Sequence, residues 1–404
     1  MQSRSVQRLL LPAAVGTFAA ASLFSILTIA GPLDPPAGAV SATYKTLTEV
    51  EPRIPINAAN TPGDADSLFK ITQPGSYYLT GNITGMIGQH GIEIVSSGVT
   101  VDLNGFDLQG VAMALDGVSV TSVGLSNIAV VGGSIRNWGS QGIDLGSFTA
   151  TNCRIDRVCV SENLGTGIFV ANDTTITNCS AIENGGNGFG VGTNCILNNC
   201  SSARNLSSGI ATSIGCAIAA CSANGNSNGG IVAGNGSTIA QCTVYQNGGA
   251  GIYCGIGSTV SSSSSMGNNG DGISTSNGCM VIDCTSRANS LDGVLVGSNC
   301  TVRGNSCTDN GSGGSNAANI HATGVDTRIE GNNCAGADRG VEVDIAGNII
   351  IKNSCAGNTI DWDIAANNIV GPILDRRAPS NAAINGFTAP DSTGTAHPNA
   401  NFSY

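Results

Sequence analysis

The chain has 404 residues, with 57 glycines, 15 cysteines, 11% charged residues and a formal net charge of −11. Only 16 Lys plus Arg stand against 27 Asp plus Glu, which excludes nucleic acid and anionic membrane surfaces, since both need a dense basic face. The glycines exclude a helical fold, because each costs roughly 1 kcal/mol in a helix interior.

Residues 1–39 open with Arg4 and Arg8, continue as an apolar run over 9–30, and end in Ala-Gly-Ala at 37–39. This pattern reads as a secretory signal peptide or an uncleaved N-terminal anchor, with Pro12 and the small residues 19–21 favouring cleavage. Residues 40–66 carry Pro52, Pro55 and Pro62 and read as a linker or N-terminal cap. From 67 onward the segments are short and alternate apolar with small polar residues, a period of two that marks strands.

The middle of the chain repeats. Asn163, Asn184, Asn205, Asn226, Asn247, Asn268, Asn289 and Asn310 recur every 21 residues. A glycine follows four residues after each of the first seven, and then a large apolar residue: Ile168, Phe189, Ile210, Ile231, Ile252, Ile273 and Val294. A 21-residue unit of about three strands, stacked on copies of itself, predicts an all-β, single-stranded parallel β-helix (solenoid) over 67–370. The crossover rule makes it right-handed. Ile92, Val118 and Ile143 extend the first-strand column backward, and Ile320, Val341 and Ile360 extend it forward, giving about 13 rungs and a rod on the order of 60 Å. The Asn column is expected at tight left-handed corners and in axial amide ladders. Cysteines fall into columns shared with Ser and Thr, so buried thiols are expected over disulfides or zinc. Residues 371–404 lose the repeat and read as a C-terminal cap or strap.

Three features together resemble the right-handed parallel β-helix superfamily, the pectate-lyase-like fold, and its secreted bacterial repeat proteins. They are the Asn-x-x-x-Gly-Ile repeat, the segment Gln73-Pro-Gly-Ser-Tyr-Tyr-Leu-Thr-Gly-Asn, and the segment Gly98-Val-Thr-Val-Asp-Leu-Asn-Gly-Phe, within roughly 67–365. The resemblance implies a fold shared by polysaccharide lyases, glycoside hydrolases, epimerases, tailspikes and adhesins. It also implies that any active site lies on the outward face of the first strand.

Along that face the residues after each apolar position are blank in the middle, as at Gly190, Ala211 and Val232. At the C-terminal end they are His321, Glu342, Asp344, Asp361 and Asp363. Carboxylates about 5 Å apart on neighbouring rungs share protons or bind a cation. Glu342, Asp344, Asp361 and Asp363 are therefore the candidate Ca²⁺ ligands, and the five residues with His321 are the candidate catalytic set. A solvated acidic face is the alternative. Asp271 and Asp292 share a turn position where a weak Ca²⁺ site competes with a plain polar turn, and Phe169 and Tyr253 are outward aromatics. The paired Asp-Asp and Arg-x-Lys of polygalacturonases are absent from the chain. The sequence thus predicts a secreted or cell-surface protein with a structural, adhesive or polysaccharide-binding role. The alternative is a lyase or hydrolase on acidic polysaccharide at the C-terminal rungs.

Overall fold

Short strands stack rung upon rung in a computed structural model that describes residues 51–312, 316–375 and 397–404. The signal or anchor expected at 1–39 lies outside the described residues. Residues 53–404 form one unit, and every strand pairing between its rungs runs parallel, as Ile168 to Phe189 to Ile210. One sheet holds 14 first strands, one per rung. The remaining 28 strands join into a second sheet through two long members, Ala129–Arg136 and Arg154–Ser161. The chain is an all-β parallel solenoid, as its periodicity requires.

The first-strand column runs through Ile92, Val118, Ile143 and Ile168 as expected. It also begins one rung earlier, at Phe69, which pairs with Ile92. Leu68 precedes Phe69 where later rungs have glycine, which hid this rung in the sequence. The 40–66 segment already takes part, since Ile54–Pro55 pairs with Tyr77 and Tyr78. The inward residues Ile168, Phe189, Ile210, Ile231, Ile252, Ile273 and Val294 are all fully buried. Each contributes about 1.5–3 kcal/mol of burial that only its neighbouring rungs make available.

The Asn column forms the expected ladder. Asn205 donates its backbone N–H (3.1 Å) and its Nδ2–H (2.9 Å) to Oδ1 of Asn226, and Nδ2 also donates to the Ala181 carbonyl at 3.1 Å. The same pattern links Asn163 through to Asn310. Where the next rung carries Ala337, Asn319 enters from the adjoining strand. It accepts from Asn310 at 2.8 Å and donates to Asn358 at 3.1 Å.

The expected left-handed corner is displaced by one residue. Positive φ belongs to the residue before each Asn, among them Glu162, Glu183, Arg204, Gln246, Ala288 and Asp309. That residue turns the chain, and the Asn after it caps the rung below.

Two further corners use the same device with smaller caps. The backbone N–H of Thr174 meets Cys195 Sγ at 3.3 Å, that of Cys216 meets Ser237 Oγ at 3.2 Å, and that of Cys242 meets Ser263 Oγ at 3.1 Å. All fifteen cysteines are free thiols and fourteen are buried. Burial pushes the Cys284 thiol up to about 11, so it stays protonated at neutral pH. Toward the C-terminus these columns change to Asn, at Asn305, Asn332 and Asn353 in one and Asn348 and Asn368 in the other. Of the segment expected as a C-terminal cap or strap, residues 371–375 and 397–404 are described. There Asn401–Ser403 pairs with Ser354–Ala356 and Ile373–Asp375, and Asn401 Oδ1 continues the ladder from Asn353.

Candidate functional site

The 21-residue spacing of the first-strand column is interrupted once after Ile168. Val294 pairs with Ile320, 26 residues later, and the excess lies between Asn310 and Ile320. The regular spacing then resumes, with Ile320 on Val341 and Val341 on Trp362. Ile360 therefore does not occupy the first-strand position the sequence assigned to it. Trp362 does, packed against the core with its Nε1–H donating to Ser403 Oγ at 2.8 Å.

This two-residue correction redistributes the candidate residues. Asp361 stands in the glycine column beside Gly340, is buried, and accepts from Asn358 Nδ2 at 3.0 Å. It belongs to the interior and leaves the proposed Ca²⁺ and catalytic sets. Asp363 lies next to Glu342 and is engaged by Arg339 Nε at 2.7 Å. The four carboxylates therefore do not form the single array that the spacing suggested.

The outward column instead runs Leu295, His321, Glu342, Asp363 on four successive rungs. His321 is the hub. Its Nδ1 lies 2.9 Å from Asp292 Oδ2 and 3.9 Å from Glu342 Oε2, and its Nε2 lies 3.2 Å from Asp344 Oδ2. Asp292 is buried and is held from its other oxygen by the Ala318 N–H at 2.7 Å, so it fixes the imidazole plane. Burial alone would lower the His321 pKa. The hydrogen bond to Asp292, the charges of Asp292 and Glu342, and the contact to Asp344 outweigh it and hold the ring protonated up to about 9. Burial pushes the Glu342 carboxyl up, against the pull of His321 and Arg339. Glu342 Oε1 faces Arg339 Nε at 3.5 Å, whereas its Oε2 is out of water's reach and has no hydrogen-bond partner. Burial and the charge of Asp292 likewise raise Asp271.

Asp271, Asp292, His321, Arg339 and Glu342 line a cleft of about 550 Å³ with apolar walls at Leu291 and Leu295 and a rim at Asn316, Ala317 and Thr323. Asn316 and Ala317 belong to the five-residue excess, so the break in the repeat supplies one side of the cleft.

The sequence reading placed Asp292 with Asp271 in a turn. The two are indeed linked, the Asp292 N–H donating to Asp271 Oδ1 at 3.1 Å, but Asp292 also reaches His321. The missed signal is a second outward column, two residues before each apolar position, which holds Asp271, Asp292 and Arg339. That column also holds His90 and Asp116 at the other end, 3.3 Å apart. Of the two outward aromatics, Tyr253 is 41% exposed, whereas the Phe169 ring lies across the backbone of Gly146 and Gly190.

No family model matches the chain, and no curated protein matches it by sequence. Among solved structures it is similar to the A-module of the Azotobacter vinelandii mannuronan C-5 epimerase AlgE4, at 17% identity and a TM-score of 0.44, over 74% of this chain and 91% of that one. It is similar to the periplasmic alginate epimerase AlgG at 12% identity and a TM-score of 0.42, over 70% and 75%. It is also similar to PfbA, a surface adhesin of Streptococcus pneumoniae, at 10% identity and a TM-score of 0.32, over 74% and 83%.

Proposed function

We propose that this chain is an extracytoplasmic, glycan-binding β-helix whose C-terminal cleft holds the sugar. One observation carries the reading. Where the repeat breaks, the outward face changes from small and apolar residues to a cleft in which His321, Glu342, Arg339 and Thr323 converge between Leu291 and Leu295. A concave site with few convergent polar groups and apolar walls suits a sugar ring, which offers hydroxyls at its rim and C–H groups on its faces. Five carboxylates (Asp271, Asp292, Glu342, Asp344, Asp363) surround two cations, His321 and Arg339. That balance favours neutral sugars over free uronates. The apolar run and small-residue site at the N-terminus support an extracytoplasmic location.

A second reading, hydrolysis or elimination on an acidic polysaccharide, is favoured by Glu342. Its carboxyl is raised by burial and has an oxygen without a hydrogen-bond partner, as a general acid would. The test is a glycan array of neutral and acidic polymers probed with the wild-type chain and His321→Ala, alongside reducing-end and unsaturated-uronate assays. Retention of a glycan by wild type and its loss in His321→Ala supports binding. Turnover lost in Glu342→Gln supports the catalytic reading. Identical array profiles for both proteins would remove the cleft from either function.

A further inference from the structure

We propose that Asp292, His321 and Glu342 bind one divalent transition ion of the zinc or manganese class. One ligand atom from each lies within 4.8 Å of the other two. The set comes from three consecutive rungs: strand pairing sets His321 beside Glu342, and Asp292, two residues before its strand, is held by the Ala318 N–H. Two of its members are already positioned. Asp292 is anchored by the Ala318 N–H, and Glu342 Oε1 is turned toward Arg339, leaving Oε2 toward His321 Nδ1, 3.9 Å away. That oxygen is buried and accepts no hydrogen bond, a vacancy in the hydrogen-bond inventory that a cation would fill.

A comparable carboxylate set at the opposite end shows what fills such a vacancy otherwise. Asp64, Asp66 and Glu93 also cluster within 4.8 Å, but Lys70 Nζ reaches into them, 2.7 Å from Asp64 and 2.9 Å from Glu93. At the C-terminal set Arg339 reaches only Glu342 Oε1, at 3.5 Å, and the group between Asp292 and Glu342 Oε2 is a histidine, which can supply a nitrogen ligand.

The donor types select the ion. One imidazole nitrogen with two carboxylate oxygens suits zinc, manganese or a neighbouring first-row ion. Calcium prefers six to eight oxygens and gains little from a histidine. Three protein ligands leave coordination positions open toward the cleft, where water or a sugar hydroxyl would complete the shell. The ion displaces the His321 Nδ1 proton, which is released to solvent. This set differs from the all-carboxylate calcium set of the sequence reading and excludes Asp361 and Asp363. The ion binds without sugar present, so its failure and the failure of glycan binding are separable.

The experiment uses the full chain, stripped with chelator and dialysed. Manganese binding is followed by loss of the free-ion electron paramagnetic resonance signal, which the buried thiols do not disturb because manganese is a poor thiolate partner. Zinc and calcium are then titrated as competitors, and thermal melts are run with and without ion. The expected result is one manganese per chain, displaced by zinc at concentrations at least about tenfold below those needed for calcium. Affinity falls by about 100-fold or more in His321→Ala and in the near-isosteric Glu342→Gln. Glu183→Gln, on the central rungs and outside the set, binds as wild type, and the ion raises the melting temperature of wild type and Glu183→Gln only. Absence of a stoichiometric site, calcium competing as well as zinc, or undiminished binding in folded Glu342→Gln would each overturn the assignment.

Discussion

From Asn163 to Asn310 the coil repeats without interruption, and its outward first-strand face carries Phe169, Gly190, Ala211, Val232, Tyr253 and Ser274. Beyond Val294, after one break in spacing, the same column carries His321, Glu342 and Asp363. The two regions share a backbone plan and differ in what their side chains can do. A strict repeat sets like beside like at about 4.8 Å. That suits amides, whose Oδ1 accepts while their Nδ2 donates, and it suits isoleucine, but stacked like charges repel. Acid–base and coordination chemistry need unlike groups side by side. At the C-terminal end Asp292, His321, Glu342 and Arg339 alternate in sign, and the inserted residues wall the space they face.

Damage to the regular half has the largest expected effect. Asn226→Ala removes the Oδ1 that accepts both the N–H and the Nδ2–H of Asn205, and leaves Asn247 Oδ1 short of a donor. Buried polar groups left unpaired cost about 1–3 kcal/mol each, so a loss of about 2–5 kcal/mol is expected in urea unfolding, with glycan and ion binding intact in the folded fraction. A change below about 0.5 kcal/mol would mean the ladder is decorative.

Acidity distinguishes the other half. In ion-free protein His321 titrates near 9, above its ordinary 6.5. A group raised on folding contributes stability that is complete below about pH 6.5 and disappears as the pH rises through about 9. Glu342, also raised, acts in the same direction from its ordinary 4.5 upward. Hydrogen exchange should show the rungs around 318–343 losing protection between pH 6 and pH 9.5 by on the order of 2 kcal/mol, with the central rungs unchanged. His321→Ala should flatten most of that slope, and an equal slope in the variant would assign it elsewhere.

Much of this was legible in the residues. The 21-residue Asn and Gly-apolar columns gave the parallel coil and the buried stack. The exchange of Cys with Ser and Thr gave small buried slots, which prove to be backbone caps. What stayed hidden came from cross-rung geometry. The pair Thr359-Ile360 imitated the Gly-apolar signature at a spacing of 19, although Trp362 kept 21 at the cost of placing Asp361 in a glycine slot. Asp292 was read along its own turn, whereas its partner lies one rung above. The repeating Asn is the expected left-handed residue, but a capping side chain must follow the turn and not make it.

That last point gives a smaller, opposite effect. Ala288 turns a corner at φ 53 in the central region. Ala288→Gly relieves a backbone conformation that costs an L-residue about 1 kcal/mol, and should stabilise by about 0.5–1 kcal/mol in thermal or urea unfolding. Destabilisation would contradict the corner assignment. The smallest effect belongs to the exposed pair Arg204–Glu183, 2.7 Å apart on the regular face. Arg204→Ala should cost no more than about 0.5 kcal/mol, and a larger loss would show that the central face depends on charge after all.

The most direct test of the central claim maps where a retained glycan touches the chain. Hydrogen exchange with mass spectrometry, run on the full chain with and without that glycan, reports each rung separately. New protection is expected in peptides covering 291–296, 316–323 and 339–344, with none along the outward strands between 168 and 254. Protection spread over the central rungs, with the C-terminal cleft unchanged, would contradict it.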